Sequence, residues 1–323
     1  MASYLVTGAA GFIGAYTAQL LMKEGHQVVG VDNLNDAYHV AVKQHRLKHL
    51  VEMPQFQFHQ ADIADKAFLE TMAAEGKRFD AVINLAARAG VRPSVENPWL
   101  YYEANLTGTL NMLELCRRSG IPKFILASTS SIYGANPPYP TPETASSSEP
   151  LQPYAASKKA AEVLAHTYHH LHGIDVSIVR YFTVYGPAGR PDLAMFRFCK
   201  WIEEGEPVLV NGDGKQSRGF TYVDDIAKGT ILALKLVGFD VFNLGGHEVI
   251  TINDLIHLME ECIGKKAVIS YGPPNPADMF TNWADVSKAK SVLGWEPKVS
   301  LRQGIQTLID WYRLNREWAK EVI

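Results

Sequence analysis

Tyr154 and Lys158 lie one helical turn apart in the segment Tyr154-Ala-Ala-Ser-Lys158, so a helix there sets a phenol and an ammonium on one face. A free tyrosine ionises near pH 10 (roughly), too high for a base at neutral pH, and a neighbouring ammonium favours the phenolate. The pair is equipped to take a proton from a substrate hydroxyl and to return it. Helix surfaces often carry such a pair for other reasons, and its weight comes from what precedes it. Ser128-Thr129-Ser130-Ser131 follows the apolar run Phe124–Ala127, which delivers hydroxyls at the carboxyl end of a strand, where α/β proteins bind ligands. Thr129 is the candidate for hydrogen bonding the reacting hydroxyl, although a hydroxyl-rich turn can also do no more than cap the strand.

A second group of residues suits a dinucleotide. Gly8-Ala-Ala-Gly11-Phe12-Ile13-Gly14 follows a short strand and opens a helix, the setting in which glycines let backbone N–H groups approach a pyrophosphate. Asp32 closes the next strand, where a carboxylate can accept hydrogen bonds from ribose hydroxyls and repel a 2'-phosphate. Asn33, Leu34 and Asn35 follow with no arginine at hand, which favours NAD over NADP.

These groups need elements to carry them. The apolar runs Tyr4–Val6, Gln27–Val31, Gln57–His59, Ala81–Leu85, Lys123–Ala127 and Asp175–Arg180 alternate with helix-length stretches, a rhythm that predicts βαβ units. Helices are expected over Phe12–Lys23, Asn105–Arg118 and Tyr154–His172. Beyond about residue 182 the pattern weakens. Pro187, Pro191, Pro207, Pro273, Pro274, Pro276 and Pro297 there cut the chain into shorter elements. The fold class is therefore α/β: a Rossmann-type doubly wound parallel sheet with a smaller, mixed α/β substrate-binding domain. The first lobe is expected to hold residues 1–181 and about 220–245, and the second about 182–219 and 246–323, with Phe220–Leu236 and Val241–Leu244 returning to the first. Pro137–Pro150, rich in Pro, Ser and Thr, reads as a loop over the site.

A chain of 323 residues, 47% hydrophobic and 20% charged, can bury a large core. Its net charge of -3 offers no basic field for nucleic acid or an anionic membrane, so a small molecule is the expected partner. Cys116, Cys199 and Cys262 are widely spaced and odd in number, which suits a reducing, cytoplasmic setting. No apolar run approaches transmembrane length, and the first residues run into the glycine turn with no room for a signal peptide. His166, His169, His170 and His172 crowd one helix end without a carboxylate or cysteine at zinc spacing, so no metal is expected. Trp311, Tyr312 and Trp318 read as packing residues.

Taken together, Gly8-Gly11-Gly14, Asp32, Asp62-Ile63, Asn84-Leu85-Ala86-Ala87, Asn105, Ser128-Thr129-Ser130 and Tyr154-Lys158 resemble, in order and spacing, the extended short-chain dehydrogenase/reductases, a group of NAD-dependent epimerases and dehydratases. More narrowly, Ala89-Gly90-Val91-Arg92, the run from Arg180 through Thr183 to Pro187, Gly189-Arg190-Pro191-Asp192 and the run from Arg218 to Asp225 look like UDP-glucuronate 4-epimerases. The resemblance implies Tyr154 as base, Lys158 as its partner and nicotinamide-ribose ligand, and Thr129 as proton-relay hydroxyl. It places NAD against Gly8, Gly11, Phe12, Ile13, Gly14, Asp32, Asn33, Asp62, Ile63, Leu85, Ala86, Ala87 and Asn105. It assigns the UDP diphosphate to Arg218 and the sugar carboxylate to Thr183 and Arg190 with Ser130 or Ser131, Arg92 also lying on the substrate side. A homodimer through the helices near Asn105–Arg118 and Tyr154–His172 is implied as well. Two departures bear on sugar choice: Arg88, where relatives often carry an uncharged polar residue, and Gly219, where an acid is frequent.

The implied reaction inverts C4 of UDP-glucuronate through a 4-keto sugar, with NAD used and regenerated in the site. Decarboxylases of the same group usually carry a glutamate at the position of Ser131, so epimerisation is favoured over loss of carbon dioxide. UDP-glucose 4-epimerase, a related uronate epimerase, a nucleotide-sugar 4,6-dehydratase, and outside enzymes a non-catalytic NAD-binding regulator are the competing readings.

Overall fold

A computed structural model describes residues 1–246, 248–274 and 279–323; Pro276 lies outside the described residues. Seven parallel strands form the main sheet: β1 (Ser3–Thr7), β2 (Gln27–Asp32), β3 (Phe56–Gln60), β4 (Ala81–Asn84), β5 (Lys123–Thr129), β6 (Asp175–Tyr181) and, after three strands placed elsewhere, β10 (Phe239–Leu244). Their spatial order is β10-β6-β5-β4-β1-β2-β3, so the order in which strands are added reverses between β1 and β4, which are parallel neighbours. That reversal opens a crevice at the carboxyl ends of the strands.

Each strand alternates its side chains between two covered faces, which is why the runs read as continuously apolar. Val6, Val28, Ile83, Ile125, Val179 and Phe242 pack on one side with α1 (Phe12–Lys23). Leu5, Val29, Val82, Phe124, Leu126 and Ile178 pack on the other. Around the sheet run α2 (Val40–Val51), α3 (Lys66–Ala74), α4 (Val91–Glu96), α5 (Trp99–Tyr102), α6 (Gly108–Ser119) and α7 (Pro153–His172). Pro153 opens α7, and Gly173 ends it in a left-handed conformation that costs glycine little. The helix expected over Asn105–Arg118 is regular only from Gly108. Glu103–Thr107 form a wider turn, and Gly108 sits where a Cβ would come within 2.7 Å of the Ile63 side chain.

The remaining chain builds smaller elements. β7 (Thr183–Tyr185), β9 (Ser217–Tyr222), β11 (Glu248–Thr251) and β13 (Thr281–Asn282) make a four-stranded mixed sheet, and β8 (Pro207–Asn211) pairs with β12 (Val268–Gly272). Helices α8 (Ala194–Glu204), α9 (Val223–Leu232), α10 (Ile252–Ile263), α11 (Leu301–Leu314) and α12 (Arg316–Ala319) complete the chain. The segment Phe220–Leu236 is divided: Phe220–Tyr222 belong to the four-stranded sheet, whereas α9 packs on α1. Gly219 has a backbone reason for its identity, since a Cβ there would lie 2.5 Å from Gly246 Cα. Pro137–Pro150 does not line the cleft, contrary to the expected loop over the site. It staples the second sheet's edge instead, with Thr141 N–H donating to Trp283 O, Asp285 N–H donating to Thr141 O, and the Tyr139 hydroxyl to Thr281 O.

Trp311 and Trp318 pack edge to face beside Phe196 and His45, and Tyr312 is fully buried. His166 and His169 lie against the Phe239 ring. Among the described residues no helix is long and apolar enough to cross a membrane, and no cluster of three or more His, Cys, Asp or Glu side chains could hold a metal.

Candidate active site

One cleft of about 760 Å³ runs across the carboxyl ends of the strands and down to the second sheet. Every residue expected in the site lines it, with the exception of Asn105. The side chain of Asn105 is buried behind the wall, accepting from Arg88 N–H at 2.8 Å and donating to Arg88 O and Ser157 Oγ. It fixes the loop after β4 to α7 and does not face the cleft.

At one end the glycine turn leaves β1 and enters α1. Gly8 has φ +67°, and a Cβ on Gly14 would lie 2.0 Å from Gly8 O, so the turn closes only without side chains. Gly11 at the head of α1 has no side chain to cap the helix. The first-turn N–H groups, positive end of the helix dipole, suit a pyrophosphate. Asp32 accepts from Ala10 N–H and Leu34 N–H, and Asn33 donates to Asp62 at 2.7 Å, joining the ends of β2 and β3. Ala86 N–H donates to Thr7 Oγ1, which itself donates to Asn84, so Leu85, Ala86 and Ala87 stand directly across from the glycines. This cradle fits a dinucleotide on backbone geometry and on the carboxylate at the end of β2.

Two residues that the sequence reading passed over complete this end. The Lys43 ammonium is 3.7 Å from the Asp32 carboxylate and donates to Asn35 Oδ1. Arg46 is buried and donates to Ala10 O, Ala188 O and the Tyr38 hydroxyl, tying the glycine turn to the loop before Arg190. Both come from α2, and only the tertiary fold brings them back onto the nucleotide end.

At the other end β5 delivers Thr129, whose hydroxyl shares the cleft wall with the Tyr154 phenol and acts on it. Thr129 Oγ1 also accepts from Ser131 N–H at 3.2 Å, which caps the short turn Ser130–Tyr133. Ser130 Oγ accepts from Asn282 Nδ2 at 3.0 Å, a contact from the second sheet that no local pattern announces. Burial pushes the Tyr154 phenol above the ordinary tyrosine value; the Thr129 hydroxyl and then the Arg190 charge pull it part of the way back. Arg190 thus adds a second cation to the one expected beside the phenol. Burial brings the Lys158 ammonium down to about 8, with Glu162 opposing.

On the sugar side Arg190 grips Asp192, and its guanidinium lies 5.8 Å from the Tyr38 ring centroid. Arg218 donates to the carbonyls of Ser217, Met279 and Phe280, which organises the strand edge before β13. Arg197, unmarked in the sequence reading, lies over the Trp201 ring at 4.5 Å with a buried Nε that has no hydrogen-bond partner among the described residues, and Arg92 bears on its charge. Arg88 stands outside the cleft wall, 3.4 Å from Asp36.

A doubly wound parallel sheet, a glycine turn at its switch point and a tyrosine–lysine helix beside a strand-end threonine together define a dinucleotide-dependent enzyme of the extended short-chain dehydrogenase/reductase type. The chain belongs to the family described as GDP-mannose 4,6 dehydratase, among the NAD-dependent epimerases and dehydratases, whose model matches residues 5–308. A UDP-glucuronate 4-epimerase of Thermodesulfobacterium geofontis is 53% identical over 324 residues, covering 100% of this chain and 99% of its own. The crystal structure of a UDP-glucuronic acid 4-epimerase from Bacillus cereus, in complex with UDP-glucuronic acid and NAD, is similar with a TM-score of 0.89 at 37% identity, covering 97% of this chain and 99% of its own. A UDP-glucose 4-epimerase of Thermotoga maritima with UDP-glucose has a TM-score of 0.90 at 33% identity over 97% and 99%.

Proposed function

We propose that this protein is an NAD-dependent UDP-glucuronate 4-epimerase, converting UDP-glucuronate to UDP-galacturonate through a 4-keto sugar. The observation that carries this reading is the convergence of the Tyr154 phenol, the Thr129 hydroxyl and the Arg190 guanidinium at the strand ends of a cleft that also holds the glycine turn. NAD, when bound, supplies the hydride acceptor and donor. Tyr154 as phenolate takes the proton of the sugar 4-hydroxyl and later returns it, with Thr129 holding the hydroxyl in line. Lys158 holds the nicotinamide ribose. Arg190, through the guanidinium edge that Asp192 leaves open, receives the sugar carboxylate together with Thr183, Ser130 and Ser131. Arg218 serves the diphosphate, and Arg92 lies on the substrate side.

Ser131 carries a neutral hydroxyl beside Thr129, so no carboxylate stands there to promote loss of carbon dioxide from the β-keto acid. Incubation with UDP-glucuronate followed by NMR tests the reading. UDP-galacturonate is the expected product, and UDP-xylose or its keto precursor in its place would overturn it.

Two lobes, residues 1–181 with about 220–245 and about 182–219 with 246–323, are proposed to hold the cofactor and the sugar respectively. A homodimer is proposed through α6 and α7, supported by the exposed Trp99, Leu110, Val163 and Leu171 on and beside them. A cytoplasmic setting is supported by three free cysteines, two of them buried.

A further inference from the structure

Buried charge is costly unless it is paired and hydrogen-bonded, so a buried ion pair outside the reacting groups asks for a reason. Glu162 and Arg180 form such a pair. Glu162 lies on α7 two turns beyond Tyr154 and one beyond Lys158, on the same face of the helix, and both partners are only 4% exposed. Arg180 Nε and Nη2 donate to the two carboxylate oxygens at 2.9 and 2.8 Å. Ser128 Oγ donates to Glu162 Oε1 at 2.6 Å, which turns the hydroxyl next to Thr129 away from the sugar side. The pair thus joins α7, which carries Tyr154 and Lys158, to the end of β5, which carries Thr129, and to the end of β6, where Ser128 and Arg180 are register partners. Arg180 also donates to the Tyr133 hydroxyl and Glu143 O, anchoring the turn after Thr129.

We propose that Glu162, held ionised by Arg180, is a positioning residue that keeps the buried Lys158 charged while fixing the Ser128–Thr129 strand end against α7. This rests on the proposed reading of Tyr154 and Lys158 as the reacting pair. Lys158 is buried, and its ammonium is disfavoured by desolvation; Glu162 is the charge that opposes this. On its own helix Tyr154 and Lys159 are within about a turn, the latter itself 3.4 Å from Glu162, while His166, Tyr168, His169, His170 and His172 lie two or more turns further on. The elements packed on α7 add Arg92 from α4, Tyr101 from α5, Glu103 from the wide turn, Tyr133, and Arg180 and Tyr181 from β6, with Arg190 across the cleft; Glu114, Arg117 and Arg118 of α6 meet the far end of the helix at Tyr168. None of those carboxylates or phenols stands in for Glu162, and the cations act in the opposite sense. Arg180 serves a second purpose, because without it burial would favour the protonated, uncharged form of Glu162.

A lysine ammonium is lost as pH rises through its midpoint, and removing the nearby negative charge moves that midpoint down. Glu162→Gln is expected to lower it by about one pH unit, the scale of one close opposite charge. The midpoint is read by competitive acetylation with acetic anhydride, quantified at Lys158 by mass spectrometry, alongside the alkaline limb of kcat/KM for UDP-glucuronate. Above both midpoints the variant should lose about tenfold in kcat/KM relative to the parent. Glu162→Asp, which keeps the charge, should restore most of the midpoint. Should Glu162→Gln not fold, the double variant Glu162→Met, Arg180→Met replaces the buried pair by apolar groups of similar volume, an exchange often tolerated, and a smaller downward movement is expected because the opposing Arg180 charge leaves with the carboxylate. A folded variant whose Lys158 midpoint equals the parent's overturns the proposal, even where activity falls. Protein inert toward UDP-glucuronate still reports its Lys158 midpoint by labelling, so failure of the proposed activity and failure of this role are told apart.

Discussion

Arg190 and Asp192 meet fork to fork, Nε to Oδ1 at 3.0 Å and Nη2 to Oδ2 at 2.6 Å, and the same guanidinium is the charge that lowers the Tyr154 phenol. A carboxylate two bonds from the reacting carbon would meet a cation already oriented by a second carboxylate. Replacing Arg190 by Met is expected to reduce kcat/KM for UDP-glucuronate by about 10- to 100-fold, the equivalent of about 1.5–3 kcal/mol for a lost charge-assisted hydrogen bond. Turnover of UDP-glucose should suffer far less. Steady-state kinetics with both sugars decides the matter: an equal loss on each removes the carboxylate role.

Thr129 bears on the same phenol through its hydroxyl. Burial raises Tyr154 and the threonine lowers it, so Thr129→Val leaves the phenol higher than in the parent. Activity that requires the phenolate appears as pH rises through the phenol's midpoint, and the acid limb of kcat/KM therefore moves to higher pH, by about 0.5–1 pH unit. Tyr154→Phe should instead lose about 10²–10⁴-fold at every pH. An acid limb that stays in place in the threonine variant would leave Thr129 without its part in proton transfer.

Much of this site was legible because its signals are local. A glycine turn is written into consecutive residues, since each missing Cβ answers a clash within the turn itself, and the Tyr154–Lys158 pair needs only a helix to bring its members together. Lys43 and Arg46 carry no such mark: they reach Asp32 and Ala10 only because α2 folds back across the end of β2. Asn282 is further removed, coming to Ser130 from a strand of the second sheet. Asn105 illustrates the converse. A residue can hold its place in a motif and still serve the wall, here by clamping Arg88 to Ser157. Pro137–Pro150 has loop composition, but composition does not say where a loop lies, and this one is fastened to the edge of the second sheet.

Asp32 has two backbone donors and the Lys43 ammonium around it, which leaves its role as a ribose acceptor open to a direct test. Asp32→Asn removes the negative charge at nearly constant shape. Affinity for NAD should fall about tenfold, in keeping with a lost hydrogen bond to a charged group, and affinity for NADP should rise because Lys43 is then free to meet a 2'-phosphate. Titration of both dinucleotides by protein fluorescence measures the two constants. Unchanged NAD affinity together with no gain for NADP would show that Asp32 serves only the turn.

Gly14 tests the cradle without touching any charged group. It lies inside α1 with ordinary helical backbone, so alanine would by propensity strengthen the helix. Yet its Cβ would stand 2.0 Å from Gly8 O and 3.3 Å from Ala9 Cα, contacts made to backbone that cannot swing aside as a side chain could. The turn must open, at a cost of about 1–3 kcal/mol for overpacking, and opening it withdraws the first-turn N–H groups from the position a pyrophosphate would take. Gly14→Ala should therefore lower the melting temperature and weaken NAD binding together. A variant that melts and binds NAD like the parent would mean that the turn tolerates a side chain, and the close approach between α1 and β1 would lose its part in cofactor recognition.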